Sequence, residues 1–234
     1  RYYRIPAILN QNGTLWAFTD DRTSASGDIG KGNLKIIAKT STDKGTNWVN
    51  EKTVADFNSS DTSNDNFNYA HGDAAVVCDR DNSKKMLMMC ASGKIGYGSS
   101  TVTTSGNWNK TLDLSKAIRV GKYTSNDGGS TWTSTDVTSD IYGIWDTKTT
   151  SWLGQTTYNT DVKKLFFSSG RICQSAIIKT GDYYRLYAAL CTNVGSLVVY
   201  SDNFGESWSA LGGTSAQPVP KGDEAKIEEL PNGN

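Results

Sequence analysis

Two arginines, Arg4 and Arg22, stand 18 positions apart near the start of the chain, and Asp28 follows Arg22 by six. A guanidinium is planar and permanently charged, and its fork matches a carboxylate in a way that a lysine ammonium does not. Asp28 closes the small-residue run Thr23-Ser24-Ala25-Ser26-Gly27. A carboxyl there can exchange protons with a substrate, although an Asp after Gly is more often a turn former. Asp73 follows Gly72 and reads either as a turn carboxylate or as a polar partner for such a substrate. Near the end, Asp223, Glu224, Glu228 and Glu229 compete for one acid–base role. In an extended segment Glu224, Lys226 and Glu228 share one face while Ile227 and Glu229 share the other, so register alone does not single out Glu224.

Other chemistries are excluded or left without support. His71 is the only histidine, and Cys78, Cys90, Cys173 and Cys191 form no C-x-x-C, which rules out zinc sites built from His/Cys clusters. The four thiols are expected to be free. A hairpin loop at Asp79 to Lys84 would pair Cys78 near Lys85 or Met86 and leave Cys90 about four positions out of register. His71, with no G-x-S-x-G nearby, reads as a structural residue rather than a general base. The run Gly27-Asp28-Ile29-Gly30-Lys31 lacks the spacing of a phosphate loop. The polar stretch from Asp56 to Asn66 has the composition of a solvated loop rather than a calcium site, and Trp145 and Trp152 either stack on a sugar or pack an edge. Asn12, Asn58 and Asn109 head N-x-[ST] sequons. With Lys+Arg 24 against Asp+Glu 24, bulk charge gives no footprint for nucleic acid or an anionic membrane. No run of apolar residues is long enough for a membrane-spanning helix.

The elements that must position these groups read as β throughout. Ile5 to Leu9, the turn Asn10-Gln11-Asn12-Gly13, and Thr14 to Phe18 form a strand–turn–strand unit, because Asn-Gly supplies the positive φ angles of a tight hairpin. Further strands are expected at Leu34 to Lys39, Ala74 to Cys78, Lys85 to Met89, Lys164 to Phe167, Ser175 to Lys179, Tyr183 to Ala189 and Ser196 to Tyr200. Leu112 to Ile118 is the one segment expected to be a short helix. Many short strands with regular turns imply a sandwich, barrel or propeller.

An internal repeat narrows the choice. Ser41-Thr42-Asp43-Lys44-Gly45-Thr46-Asn47-Trp48, Ser125-Asn126-Asp127-Gly128-Gly129-Ser130-Thr131-Trp132 and Ser201-Asp202-Asn203-Phe204-Gly205-Glu206-Ser207-Trp208 share the template S-x-[DN]-x-G-x-[TNS]-W. The Asp or Asn is expected to bond N–H groups two residues on, the Gly to be left-handed and the Trp to pack back across the hairpin. This unit resembles the Asp-box of sialidase-like β-propellers, where the boxes lie away from the active site. Tyr3-Arg4-Ile5-Pro6 resembles the [FY]-R-I-P opening of bacterial exo-sialidases. The likeness continues through Asp20-Asp21-Arg22, Asp28, Gly72-Asp73-Ala74-Ala75-Val76-Val77 and Ser169-Gly170-Arg171-Ile172. It runs on to Asp223-Glu224-Ala225-Lys226-Ile227-Glu228-Glu229-Leu230-Pro231-Asn232-Gly233. The chain therefore resembles the sialidases (neuraminidases) of the bacterial, trypanosomal and animal type from Arg4 to Gly233.

That resemblance implies an all-β, six-bladed β-propeller and a retaining exo-α-sialidase acting on terminal sialic acids of glycoconjugates through a tyrosyl-enzyme intermediate, without cofactor or metal. It implies Arg4 as the first arginine of a carboxylate-binding triad, Arg22 and Asp73 around O4 of the sugar, Asp28 as general acid/base, and Glu224 as the base paired with a tyrosine nucleophile. A phenol suits an anomeric centre that already carries a carboxylate, because a carboxylate nucleophile would meet like-charge repulsion. Glu228 fills a position that is usually apolar. The family places the tyrosine and two more arginines after the Glu224 motif. Six blades need roughly 240 to 300 residues before insertions, while the boxes here are spaced by 84 and 76. Residues 1 to 234 are therefore expected to hold three to four blades of one catalytic domain, with the C-terminal blades needed to complete the site. Secretion or cell-surface location follows from the resemblance alone. A trans-sialidase shares this half of the site, and a non-catalytic propeller binding glycan or protein is the alternative from another class.

Overall fold

The computed structural model describes residues 1–23, 27–30, 33–58, 60, 66–100, 112–144, 164–213, 216, 218, 219 and 222–233. Trp145, Trp152, the Asn109 sequon and most of the 56–66 loop lie outside them. Three antiparallel sheets follow one another along the chain. The first runs Tyr2–Gln11 (β1), Thr14–Arg22 (β2), Leu34–Ser41 (β3) and Val49–Ala55 (β4). The second comprises His71–Cys78 (β5), Met86–Ser92 (β6), Arg119–Ser125 (β7) and Thr133–Asp136 (β8), and a short helix, Thr138–Gly143 (α1), comes after it. The third is entered through Leu165–Phe167 (β9) and Gly170–Arg171 (β10), and continues with Cys173–Thr180 (β11), Tyr183–Thr192 (β12), Gly195–Ser201 (β13) and Ser209–Ala210 (β14). β9 pairs with β12, whereas β10 crosses over to pair in parallel with β5 of the second sheet.

The all-β reading agrees with this architecture, and every expected strand lies within or within one residue of an observed one. Asn12 and Gly13 take φ of 47° and 91° between β1 and β2. Cys78 pairs with Met86, and all four cysteines are free. Leu112 to Ile118 is not a helix. Asp113 closes a single turn by accepting the Ser115 N–H (3.0 Å) and hydroxyl (2.5 Å). Leu112 and Ile118 then pack in different clusters, so their spacing never forms one helical face.

Packing between successive sheets explains the composition of the strands. Along β6 the side chains alternate: Met86, Met88 and Cys90 meet Phe18, Ile36 and Ala38 of the first sheet. Leu87 and Met89 meet Leu186, Leu190 and Val199 of the third. Both faces of β6 are therefore covered, which is why its seven residues are all buried.

The boxes form self-capped turns, with one difference from the expected bonding. Asp43, Asp127 and Asn203 each accept the N–H four residues on, at 2.9 Å, rather than two on. The box serine fills the inner position instead, accepting the Gly N–H at 2.8–2.9 Å. The box glycines have φ of 89°, 84° and 83°. A Cβ on Gly129 would lie 2.6 Å from Trp16, and one on Gly205 would lie 2.4 Å from Leu87, so each abuts the preceding sheet; Gly45 meets nothing closer than 3.7 Å. Gly45→Ala should therefore cost about 1 kcal/mol from the left-handed backbone alone. Gly205→Ala should add about 1–3 kcal/mol of overpacking. Thermal denaturation of the two variants compares them directly, and equal shifts would show that the glycine serves only the turn.

Candidate active site

One end of the sheets carries a cleft of about 800 Å3 into which Arg4, Asp28, Asp73 and Glu224 all project. Four separate segments bring them there. Arg4 lies on β1 directly across from Asp20 of β2. Just beyond it the β1–β2 register shifts between Arg4 and Ala7, where Ile5 takes φ of 57°. Asp73 sits at the equivalent irregularity of β5, between Gly72 and Ala75, with φ of 59°. Such bulges interrupt strand pairing and re-aim side chains, here at the same end of neighbouring sheets. Non-glycine residues seldom hold this backbone unless their surroundings impose it.

Arg22 ends β2 and is 1% exposed, as is the Asp20 side chain. Strand alternation puts both on one face. Arg22 Nη2 donates to Asp20 Oδ2 at 2.9 Å, and its Nη1 donates to Asp28 Oδ1 at 2.6 Å. Arg4 Nη1 lies 3.9 Å from the same Asp28 oxygen. Asp28 is itself well exposed, at 73% of its side chain. Its neighbour Ile29 anchors the loop, being buried against Leu34, Ala91 and Ile118. Gly30 and Gly96 let the two loop backbones touch: a Cβ on Gly96 would overlap the Ile29 carbonyl.

The four C-terminal carboxylates separate by their partners. Glu229 is tied down, accepting the Ser175 hydroxyl at 2.5 Å and the Ala176 N–H at 2.6 Å. Glu228 lies 3.5 Å from exposed Arg171. Asp223 lines the cleft, but its carbonyl accepts the Ser196 hydroxyl and Cys191 Sγ donates to its carboxylate at 3.4 Å. Glu224 also lines the cleft and is exposed. Its charge reaches Asp73 and helps raise the Asp73 pKa. The remaining wall is largely apolar, including Ala91, Ile95, Ile118 and Phe166.

His71 is elsewhere. It is fully buried, 2.9 Å from Ser92 Oγ, and burial lowers its pKa to about 4, which fits a structural histidine. Among the described residues no cluster of His, Cys, Asp or Glu has the makings of a metal site. The reading of the sequence gave no role to two groups found here: Tyr97, which lines the cleft, and Asp20, which lies behind it. Only Asp20 carried a usable signal, its two-residue spacing from Arg22. Tyr97 rests edge-on against Phe166, and its pKa is pushed up to about 12 by burial and by Cys191.

Carboxyl groups crowd this cleft. Burial first, then the charges of Asp20, Glu224 and Asp28, push Asp73 up to about 7. Burial pushes Asp20 up to about 6 against the pull of Arg22 and the Asp73 N–H. A carboxyl whose pKa is raised on folding holds a proton that the unfolded chain has already released, so its contribution declines as pH rises. The two carboxyls should lower stability between about pH 4 and 7, opposed below about pH 6.5 by buried His71, and Asp73→Asn should make the slope across that window less negative. Melting temperatures from pH 4 to 8 test this; an unchanged slope in the variant would place Asp73 outside the crowded group.

No family model matches the chain. A sialidase from Paraclostridium sordellii is 27% identical over 235 residues, covering 98% of this chain and 50% of the relative. The chain thus spans about half the length of that curated relative. The intramolecular trans-sialidase from Ruminococcus gnavus, solved with oseltamivir carboxylate, has a similar structure, with a TM-score of 0.68 at 17% identity over 100% of this chain and 64% of that one. The Trypanosoma rangeli sialidase, solved with sialic acid, gives 0.56 at 17% identity over 89% of this chain and 30% of that one. In sequence over nearly its whole length, and in fold, the chain is similar to sialidases.

Proposed function

We propose that the chain forms the first half of the catalytic domain of a retaining exo-α-sialidase, built as a six-bladed propeller. One observation carries this reading: Arg4, Asp28, Asp73 and Glu224, far apart in sequence, line one cleft, with Arg22 bonded to Asp28 at its edge.

In this reading Arg4 forks onto the substrate carboxylate, and Arg22 and Asp73 hold the O4 side of the ring. Glu224 takes the proton of a tyrosine, whose oxygen attacks the anomeric carbon. The glycosidic C–O bond breaks as Asp28 gives its proton to the departing oxygen. Asp28 then takes a proton from water, which attacks the anomeric carbon and displaces the tyrosine; Glu224 returns its proton to the phenolate as sialic acid is released. The tyrosine and two further arginines stand after the Glu224 motif in the family. Tyr97 is a poor substitute, since burial and neighbouring acidic groups disfavour its ionised form. The substrates are sialylated glycoconjugates, which points to work at or outside the cell surface. No cofactor takes part.

The test uses the full-length protein and two substrate classes. Asp28→Ala should slow natural sialosides about 100-fold or more, a loss typical of a missing general acid. A sialoside with an acidic phenol leaving group should be far less affected, because its departure needs no proton. Equal losses would remove Asp28 from the acid role. Tyr97→Phe should leave kcat for both substrates within about threefold, whereas removing a nucleophile would abolish turnover. Loss of turnover in that variant would make Tyr97 the nucleophile.

A further inference from the structure

Asp20 touches no part of the cleft, yet it contacts the groups that do. Its carboxylate is fully buried and accepts from Arg22 Nη2 at 2.9 Å through one oxygen and from the Asp73 N–H at 3.0 Å through the other. The second bond crosses from the first sheet to the second, exactly where β5 leaves its regular register and Asp73 turns left-handed. Gly72 makes the approach possible. A Cβ there would lie 3.1 Å from Asp20 Oδ2, tighter than an ordinary contact. Asp20 is also the cross-strand partner of Arg4.

We propose that Asp20 is a positioning residue that fixes Arg22 and the Asp73 bulge relative to each other, so that both present their polar groups to the same edge of a bound sugar. The inference rests on the sialidase reading for the identity of that sugar. The geometry explains why a carboxylate is needed. A neutral amide could still accept the Asp73 N–H but would take away the buried one of the two carboxylates that Arg22 bonds. The balance of charge around the Arg22 fork would then shift toward Asp28. Among the described residues, Arg22 and Asp28 act on Asp20 through their charges, and Asp20 in turn acts on Asp73.

In the full-length protein, Asp20→Asn should raise KM for sialosides about tenfold or more, the scale of one charged hydrogen bond. It should do so equally for natural and phenolic leaving groups, with kcat changed less than KM. Gly72→Ala, which pushes the carboxylate away without touching its charge, should give the same signature. Unchanged KM in both variants, at an unchanged melting temperature, would overturn the proposal. A KM rise confined to natural substrates would also overturn it, since that pattern belongs to Asp28. Should the unaltered protein neither cleave nor bind any sialoside, the sialidase reading falls and amide hydrogen exchange decides the positioning role separately. The Asp73 amide should be protected in the unaltered protein and should exchange rapidly in Asp20→Ala while Val76 and Val77 stay slow. An Asp73 amide that exchanges rapidly in the unaltered protein would overturn the positioning role.

Discussion

A guanidinium and a carboxylate two residues apart on β2, both shut away from water, set the geometry of the cleft. Burying two charges is costly, and the attraction between them offsets that cost only when the geometry is good and the leftover hydrogen-bonding positions are filled. Asp20 fills them with the Asp73 N–H, and Arg22 with Asp28. The pair therefore cannot relax independently of its neighbours, because moving either member would strand a buried charge. Groups from β1, β2, the loop after β2, and β5 are held to one arrangement by that constraint.

Irregular backbone does the aiming. A regular strand at Arg4 or Asp73 would continue its alternation straight past the cleft. Instead both strands carry a register shift with a left-handed residue, Ile5 in one and Asp73 in the other. The C-terminal acidic segment is arranged by different means. Glu229 clamps it to β11, and the Asp223 backbone to Ser196, which leaves Glu224 to face the cleft unencumbered by either contact.

Much of this was legible in the sequence, for identifiable reasons. Runs of apolar, β-forming residues between turns rich in Gly, Asn, Asp and Ser mark the inner strands of each sheet, and the three boxes mark its repeats. β4 and β8 escaped notice because they are outer strands with mostly exposed, polar side chains. β7 is central and buried, yet its Arg119, Gly121 and Lys122 break any apolar pattern. Arg119 pairs with Asp136 and Lys122 with Glu206, partners far off in sequence. In the cleft, Arg4, Asp28 and Glu224 stood out through motif resemblance. Asp20 carried only its two-residue spacing from Arg22, and what a buried carboxylate holds is recognisable only once the atoms that satisfy it are in place. Nor did local sequence distinguish Glu224 from Glu229, which differ in what they touch rather than in type.

The turns that carry the boxes also act as keys between sheets. Lys52 of β4 donates to the carbonyls of Gly129 and Ser130 in the second box. Lys122 of β7 pairs with Glu206 in the third. With Gly129 seated on Trp16 and Gly205 on Leu87, the second and third boxes each dock onto the sheet made before it. The lock depends on the box and the previous sheet, and not on how much chain lies between them, so the interval between boxes is free to vary. Docking of this kind also has a direction: a newly made sheet finds its socket already present on the segment synthesised earlier, which suits assembly from the N-terminus onward as the chain emerges.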